Sequence, residues 1–233
     1  MVLLLPAVTI LMFISSQTGF SIHSRYVLPM LPFAFVWISK VGRCVELRHW
    51  KVAAVAGAAL CWSVGSSLWY FPHSLSYFNE LAGGPENGHW HLLDSNIAWG
   101  QDLFFLKKWF DGHPEATPMH LASFGWVDPR LAGIEFILPP LGPDVSRPVA
   151  ETRDESLGPR PGWYAIDVNH LHSTGDAVVD EHGDLRFPAS NDMNYHYFLR
   201  FQPVAMAGYS IYIYHITLDE ANRVRRELGM EEL

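Results

Sequence analysis

From Val52 to Phe71 the chain runs twenty residues without a charge and closes on Trp69, Tyr70 and Phe71. A helix needs roughly 20 mainly apolar residues to cross a hydrocarbon core, and aromatic rings collect at its interfaces. Met1–Phe20 has the same character and turns polar only towards Ser15–Thr18. Tyr26–Val41 is shorter, carries Pro29 and Pro32, and ends near Lys40, whose long side chain can snorkel to the interface. The pattern predicts three membrane spans, about 1–20, 26–41 and 52–71, with a re-entrant or buried helix as the alternative for the second.

Beyond Phe71 the periodicity changes. Trp99, Leu103, Leu106 and Phe110 recur at the spacing of one helical face, with Lys107 and Lys108 near the end and Gly112 and Pro114 as stops. Met119–Phe124, Trp163–Val168 and Tyr209–Ile216 read as strands, and a short helix is expected near Pro129–Phe136. Pro139–Pro161 holds six prolines and reads as a long loop. Thr217 and Glu220 have the spacing of a capping box, starting a last helix over Leu218–Leu228 that Gly229 closes. Helices interleaved with short apolar strands predict an α/β sandwich over residues 72–233.

Charge sharpens this division. Residues 1–71 contain five cations (Arg25, Lys40, Arg43, Arg48, Lys51) against Glu46, a net +4, while residues 72–233 carry a net −12. That asymmetry disfavours a uniform soluble globule, a disordered chain and a basic nucleic-acid binder. Arg43, Arg48 and Lys51 place Gly42–Lys51 on the cytoplasmic side, so the acidic domain is expected outside. The apolar start lacks the basic region and cleavage site of a secretory signal, and reads as a piece of a longer membrane protein. Cys44 and Cys61 are the only cysteines, so the acidic domain is expected to fold without a disulfide or thiolate site.

Two stretches concentrate candidate chemistry. His23, Arg25 and Tyr26 stand just before the proline-broken segment, where a guanidinium can grip a phosphate through its planar fork or anchor to lipid headgroups. The run from Tyr77 to Asp102 interleaves Asn79, Glu80, Asp94, Asn96, Gln101 and Asp102 with Trp90 and Trp99. Aromatic faces and hydrogen-bonding side chains suit a sugar, or equally a polar network that docks one part of the chain on another. His89 with His91, and His170 with His172, each offer two imidazoles without a third ligand at a telling spacing. No metal or other cofactor is expected, and no catalytic motif is present.

His23-Ser24-Arg25-Tyr26 followed by two spaced prolines resembles a late membrane segment of the bacterial glycosyltransferases related to family 39. That group includes protein O-mannosyltransferases and the lipid-A aminoarabinose transferase. Phe78-Asn79-Glu80-Leu81-Ala82-Gly83-Gly84-Pro85 and Asp94-Ser95-Asn96, with Trp99-Gly100-Gln101-Asp102-Leu103, resemble the segment after their last span. Gly208-Tyr209-Ser210-Ile211 fits their closing domain. The resemblance implies a membrane α-helical GT-C fold, here its last three spans followed by an extracytoplasmic α/β domain. It implies transfer of a sugar from a polyprenyl-phosphate donor at the outer face of the bacterial inner membrane. Arg25, with His23 and Tyr26, takes the position near the donor phosphate. The family's catalytic base, an acidic residue in a first outer loop, has no counterpart here, so no catalytic residue is assigned and this portion is expected to be inactive alone. The missing N-terminal half is the implied protein partner. In many relatives Asp stands where this chain has Ala98. The alternative is a non-catalytic, membrane-anchored binding or assembly module.

Overall fold

The structure, a computed structural model, describes residues 4–16, 24–43, 49–143, 157–172, 177–186 and 195–233. The chain divides into two compact units, Met1–Asn79 and Glu80–Leu233.

In the first unit, helix α1 (Leu4–Ser16) packs against a 3-10 turn, Ser24–Met30, and against α2 (Leu31–Ile38). Helix α3 (Trp50–Trp69) has 20 residues, which at about 1.5 Å each gives roughly the 30 Å of a bilayer core. Its flanks are apolar and exposed, Trp62 at 67% and Leu68 at 70%. Among the described residues this is the one helix long and apolar enough to cross a membrane.

The expected bundle of three GT-C-like spans is therefore not what forms. Helix α1 has 13 residues, about 20 Å of rise. The segment expected to span 26–41 breaks into the 3-10 turn containing Pro29, the 8-residue α2 with Pro32 in its first turn, and a second 3-10 turn, Ser39–Val41. Proline has no N–H to donate and disfavours helical backbone in the residue before it, so two prolines three apart leave no long helix.

The second unit is built on a mixed four-stranded sheet in the order β1-β2-β6-β5. Its strands are β1 (Met119–Ala122), β2 (Gly162–Asp167), β5 (Ala205–Ala207) and β6 (Ile211–Ile216). Strand β1 runs parallel to β2, and β6 runs antiparallel to both β2 and β5. A separate two-residue hairpin joins β3 (Val178–Val179) to β4 (Leu185–Arg186). Its turn is held by Asp180, whose Oδ1 accepts from the His182 and Asp184 N–H groups while Oδ2 accepts from Arg186 Nε.

Alternation along the strands sorts the core into two layers. Met119, Leu121, Ala165, Ile211 and Ile213 face helix α4 (Leu103–Asp111), which contributes Leu103 and Leu106. Tyr164, Ile166, Tyr214 and Ile216 face the opposite way, onto α6 (Leu218–Glu227) and the aromatic turn His196–Arg200. Short helix α5 (Val168–His172) follows β2 directly. Thr217 and Glu220 form the reciprocal capping box at the start of α6. At its other end Arg225, 5% exposed, donates to the carbonyls of Leu157, Pro159 and Glu231, fastening the loop before β2.

The apolar stripe expected from Trp99 to Phe110 is helical only from Leu103, because Gly100 turns the chain at φ 86° against Val127. Trp99 thereby leaves the buried face and is 54% exposed. The stretch near Pro129–Phe136 makes a single 3-10 turn, Pro129–Ala132, with Asp128 accepting from the Arg130 N–H at its start.

Helix α4 gives a test of this layering. Leu106→Ala, at a fully buried position, should cost roughly 2–5 kcal/mol in urea unfolding of the micelle-solubilised protein. Phe104→Ala on the outer face of the same helix, 72% exposed, should stay within about 0.5 kcal/mol.

Candidate functional site

The candidate site gathers where the parallel strands β1 and β2 end, the position at which open α/β sheets place their polar residues and ligands. Strand β2 finishes on Asp167, 2% exposed, and the backbone turns at once into α5. Asp167 Oδ1 accepts from the Asn169 N–H at 2.9 Å. Asn169, itself fully buried, accepts in turn from the backbone N–H of Asp94 at 2.6 Å. Asp94 is the one non-glycine residue with positive φ (60°) among those described, and that bond secures it there.

Asp102 closes the network from the other side. It is fully buried one residue before α4, and its Oδ2 accepts from the N–H groups of Tyr209 and Ser210 at 3.1 and 3.0 Å. Gly208, at φ 60°, lies directly over that carboxylate, and a Cβ on it would overlap the Asp102 side chain. The Ser210 carbonyl then accepts from the Val168 N–H at 2.7 Å, so the turn before β6 and the exit of β2 are joined through one backbone bond.

Two buried carboxyl groups thus share one polar pocket of the fold. Burial pushes Asp167 up to about 7, with the charge of Asp102 adding to the rise and the Asn169 and Ser210 groups opposing it. Asp102 accepts two backbone N–H groups on one oxygen beside it. His170, whose Nε2 lies 3.1 Å from the Ser123 carbonyl, is held down at about 4 by burial. Both carboxyls are buried. The pair can fix two loops in register, and it cannot serve as an exposed base.

The remaining residues singled out from the sequence fall into distinct places. Asn96 donates to the Leu93 carbonyl, and Gln101 spans its own turn by accepting from the Trp99 N–H and donating to the Ile97 carbonyl. Tyr77 belongs to the first unit, where its hydroxyl lies 2.8 Å from Ser66 Oγ on α3 and its ring tilts against Tyr70. Asn79 and Glu80 are exposed at the boundary between the units. Arg25 is exposed, with its guanidinium 5.3 Å above the Tyr26 ring, and His23 lies outside the described residues. The structure therefore brings Asp94 and Asp102 into one network and leaves Tyr77, Arg25 and Tyr26 outside it.

The histidine pairs regroup. His89 stacks on His172 at 4.6 Å between ring centroids, beside Trp90 and Tyr212. Burial, with His89 and His196 nearby, lowers His172 to about 4. His91 instead meets the Ala82 carbonyl, and His170 meets that of Ser123. Among the described residues no cluster of three or more His, Cys, Asp or Glu side chains is arranged to hold a metal ion.

Asp167, Asn169, Ser210 and Gly208 were not singled out from the sequence as site residues. The available signal was an acid closing an otherwise apolar strand, Trp163-Tyr164-Ala165-Ile166-Asp167, where an ionised side chain has no reason to be unless something pairs with it. No protein-family model, curated protein or solved structure matches this chain.

Two variants test the network. Asp102→Ala strands two buried N–H groups and should destabilise the second unit by about 3 kcal/mol in urea unfolding. Asp167 has a folded pKa above its unfolded value, so the folded state holds an extra proton between about 4 and about 7. Its contribution to stability is present below that window and is lost as pH rises through it. Asp167→Asn should therefore gain on the unsubstituted protein as pH rises from 4 to 7, measured as the difference between their unfolding midpoints. A pH-independent difference would refute the raised pKa.

Proposed function

We propose that this chain forms the membrane-tethered part of a glycosyltransferase that moves a sugar from a polyprenyl-phosphate donor to an acceptor hydroxyl. The reaction takes place at the outer face of the bacterial inner membrane, with the α/β unit on the periplasmic side. What supports the reading is the Asp102 contact. Two segments that resemble the family-39-related enzymes, Trp99–Leu103 and Gly208–Ile211, stand 107 residues apart in sequence and meet through one carboxylate. Joint use of both segments at one structural point is expected if they belong to a common fold plan.

In this reading the acceptor oxygen bonds to the anomeric carbon while the carbon–oxygen bond to the phosphate breaks. The lipid phosphate leaves with that electron pair, and the acceptor proton passes to a carboxylate base. Charge grows on the leaving phosphate, and the planar guanidinium of Arg25 is suited to stabilise it. The Asp102 carboxylate is committed to the buried network and that of Asp94 accepts from the Ser95 N–H, so in this reading the base is supplied from elsewhere in the enzyme.

The inward commitment of Asn96, Gln101 and Asp102 to backbone partners favours a second reading, a non-catalytic binding or assembly module on a membrane anchor. Arg25 separates the two. In membranes where the chain is joined by the N-terminal half that carries the base, assayed with a radiolabelled polyprenyl-phosphate hexose, Arg25→Ala should lower transfer by about 100-fold or more, and Arg25→Lys should recover part of it. Arg25 is exposed, so the unfolding midpoint should not move. Unchanged transfer in Arg25→Ala, or no transfer from any lipid-linked sugar even with the N-terminal half supplied, would favour the module.

A further inference from the structure

The outer side of the α4 layer is unusually apolar for an acidic unit. Trp99 is 54% exposed, Phe104 72%, Trp126 72% and Leu131 82%. Local packing brings together the turns and helix that carry them. A Cβ on Gly100 would lie 3.0 Å from Val127 Cβ, and one on Gly125 would lie 3.9 Å from the Trp99 carbonyl carbon, so the two tryptophan turns rest on each other. A Cβ on Gly133 would lie 3.2 Å from Lys107 Cε, which sets α4 beside the turn carrying Leu131. Leu103 and Leu106 point to the core, leaving Phe104 on the outer face of the same helix.

Charge around this surface is balanced internally. Lys107 pairs with Asp111, Arg130 is clamped to Asp128 by Nε and Nη2 bonds of 2.7–3.1 Å, and exposed Lys108 and Glu135 add one charge of each sign. A locally neutral, tryptophan-rich surface stands out in a segment whose net charge is −12. Indole and phenyl rings prefer the boundary between headgroups and acyl chains, and a neutral rim suits zwitterionic headgroups without needing anionic lipid. A bilayer is also at hand. The ten residues 70–79 join α3 to the second unit, a stretch that reaches at most about 35 Å when fully extended. Such a tether keeps a membrane at high effective concentration around the unit.

We infer that Trp99, Phe104, Trp126 and Leu131 form a docking surface that seats the α/β unit on the zwitterionic headgroup zone of the bilayer crossed by α3. The inference depends on α3 crossing a bilayer and is independent of glycosyl transfer. Docking would restrain the unit at a constant height over the membrane.

The test uses the full chain in phosphatidylcholine nanodiscs, with single cysteines carrying a polarity-sensitive fluorophore and nitroxide-labelled phosphatidylcholine as quencher. Cys44→Ser leaves Cys61, within α3, as the reporter of the span. In a Cys44→Ser, Cys61→Ser background, Trp126→Cys and Leu131→Cys report docking, and Asp219→Cys on α6, across the sheet, serves as reference. The expected result is quenching at 61, and quenching at 126 and 131 at least about twofold greater than at 219, as for side chains about 5–10 Å into the boundary. Quenching at 61 with 126 and 131 no different from 219 overturns the docking surface and leaves it to a protein partner. Absence of quenching at 61 removes the span and the inference with it. Two independent docking positions guard against one variant failing to fold.

Discussion

The second unit depends on a carboxylate buried without exposure at the start of its first long helix. Asp102 brings the two N–H groups of Tyr209 and Ser210 onto one oxygen, and the lack of a side chain on Gly208 lets the turn come that close. The consequences pass from bond to bond. The turn sets the entry of β6, the Ser210 carbonyl sets the exit of β2, and Asn169 just beyond that exit secures the unusual backbone of Asp94. Burying a charge is costly unless it is fully hydrogen-bonded, and here the ligands are backbone groups that would otherwise be unsatisfied themselves.

Asp167 is the other half of this arrangement. Two ionised carboxylates this deeply buried would repel strongly, and burial, with Asp102 adding to it, raises Asp167 to about 7, which eases that conflict as pH falls. The same burial that stabilises the clamp removes it from solvent. The polar residues between Asp94 and Asp102 therefore look inward, to shape and register, while the exposed chemistry of the chain lies elsewhere, at Arg25 and on the tryptophan-bearing outer face of α4.

A division of labour follows between the two units. The first carries an apolar helix of membrane-crossing length, preceded by segments that proline and shortness keep from forming further spans. The second carries most of the negative charge and a rigid mixed sheet with a helix on each face.

Much of this was legible in the residues themselves. The uncharged run ending at Trp69, the capping box at Thr217 and Glu220, and the strand-forming character of Ile211–Ile216 are local signals, decided by neighbours within a few positions. Hydropathy over Tyr26–Val41 misled because composition records apolarity and not continuity. Two prolines divide that segment into short turns whatever its average. The periodic stripe from Trp99 misled for a similar reason, since Gly100 at positive φ stops the helix short of it. The buried network was out of reach for a different reason. Asp102 and Tyr209 are 107 residues apart, and nothing near either one records the other. The sequence by itself determined where chain could be helix, strand or membrane span, because those depend on local backbone geometry and on the solvent each side chain prefers. Only the tertiary structure decided which polar residues face each other and which become neutral, because hydrogen bonding and desolvation are properties of surroundings assembled from distant parts of the chain.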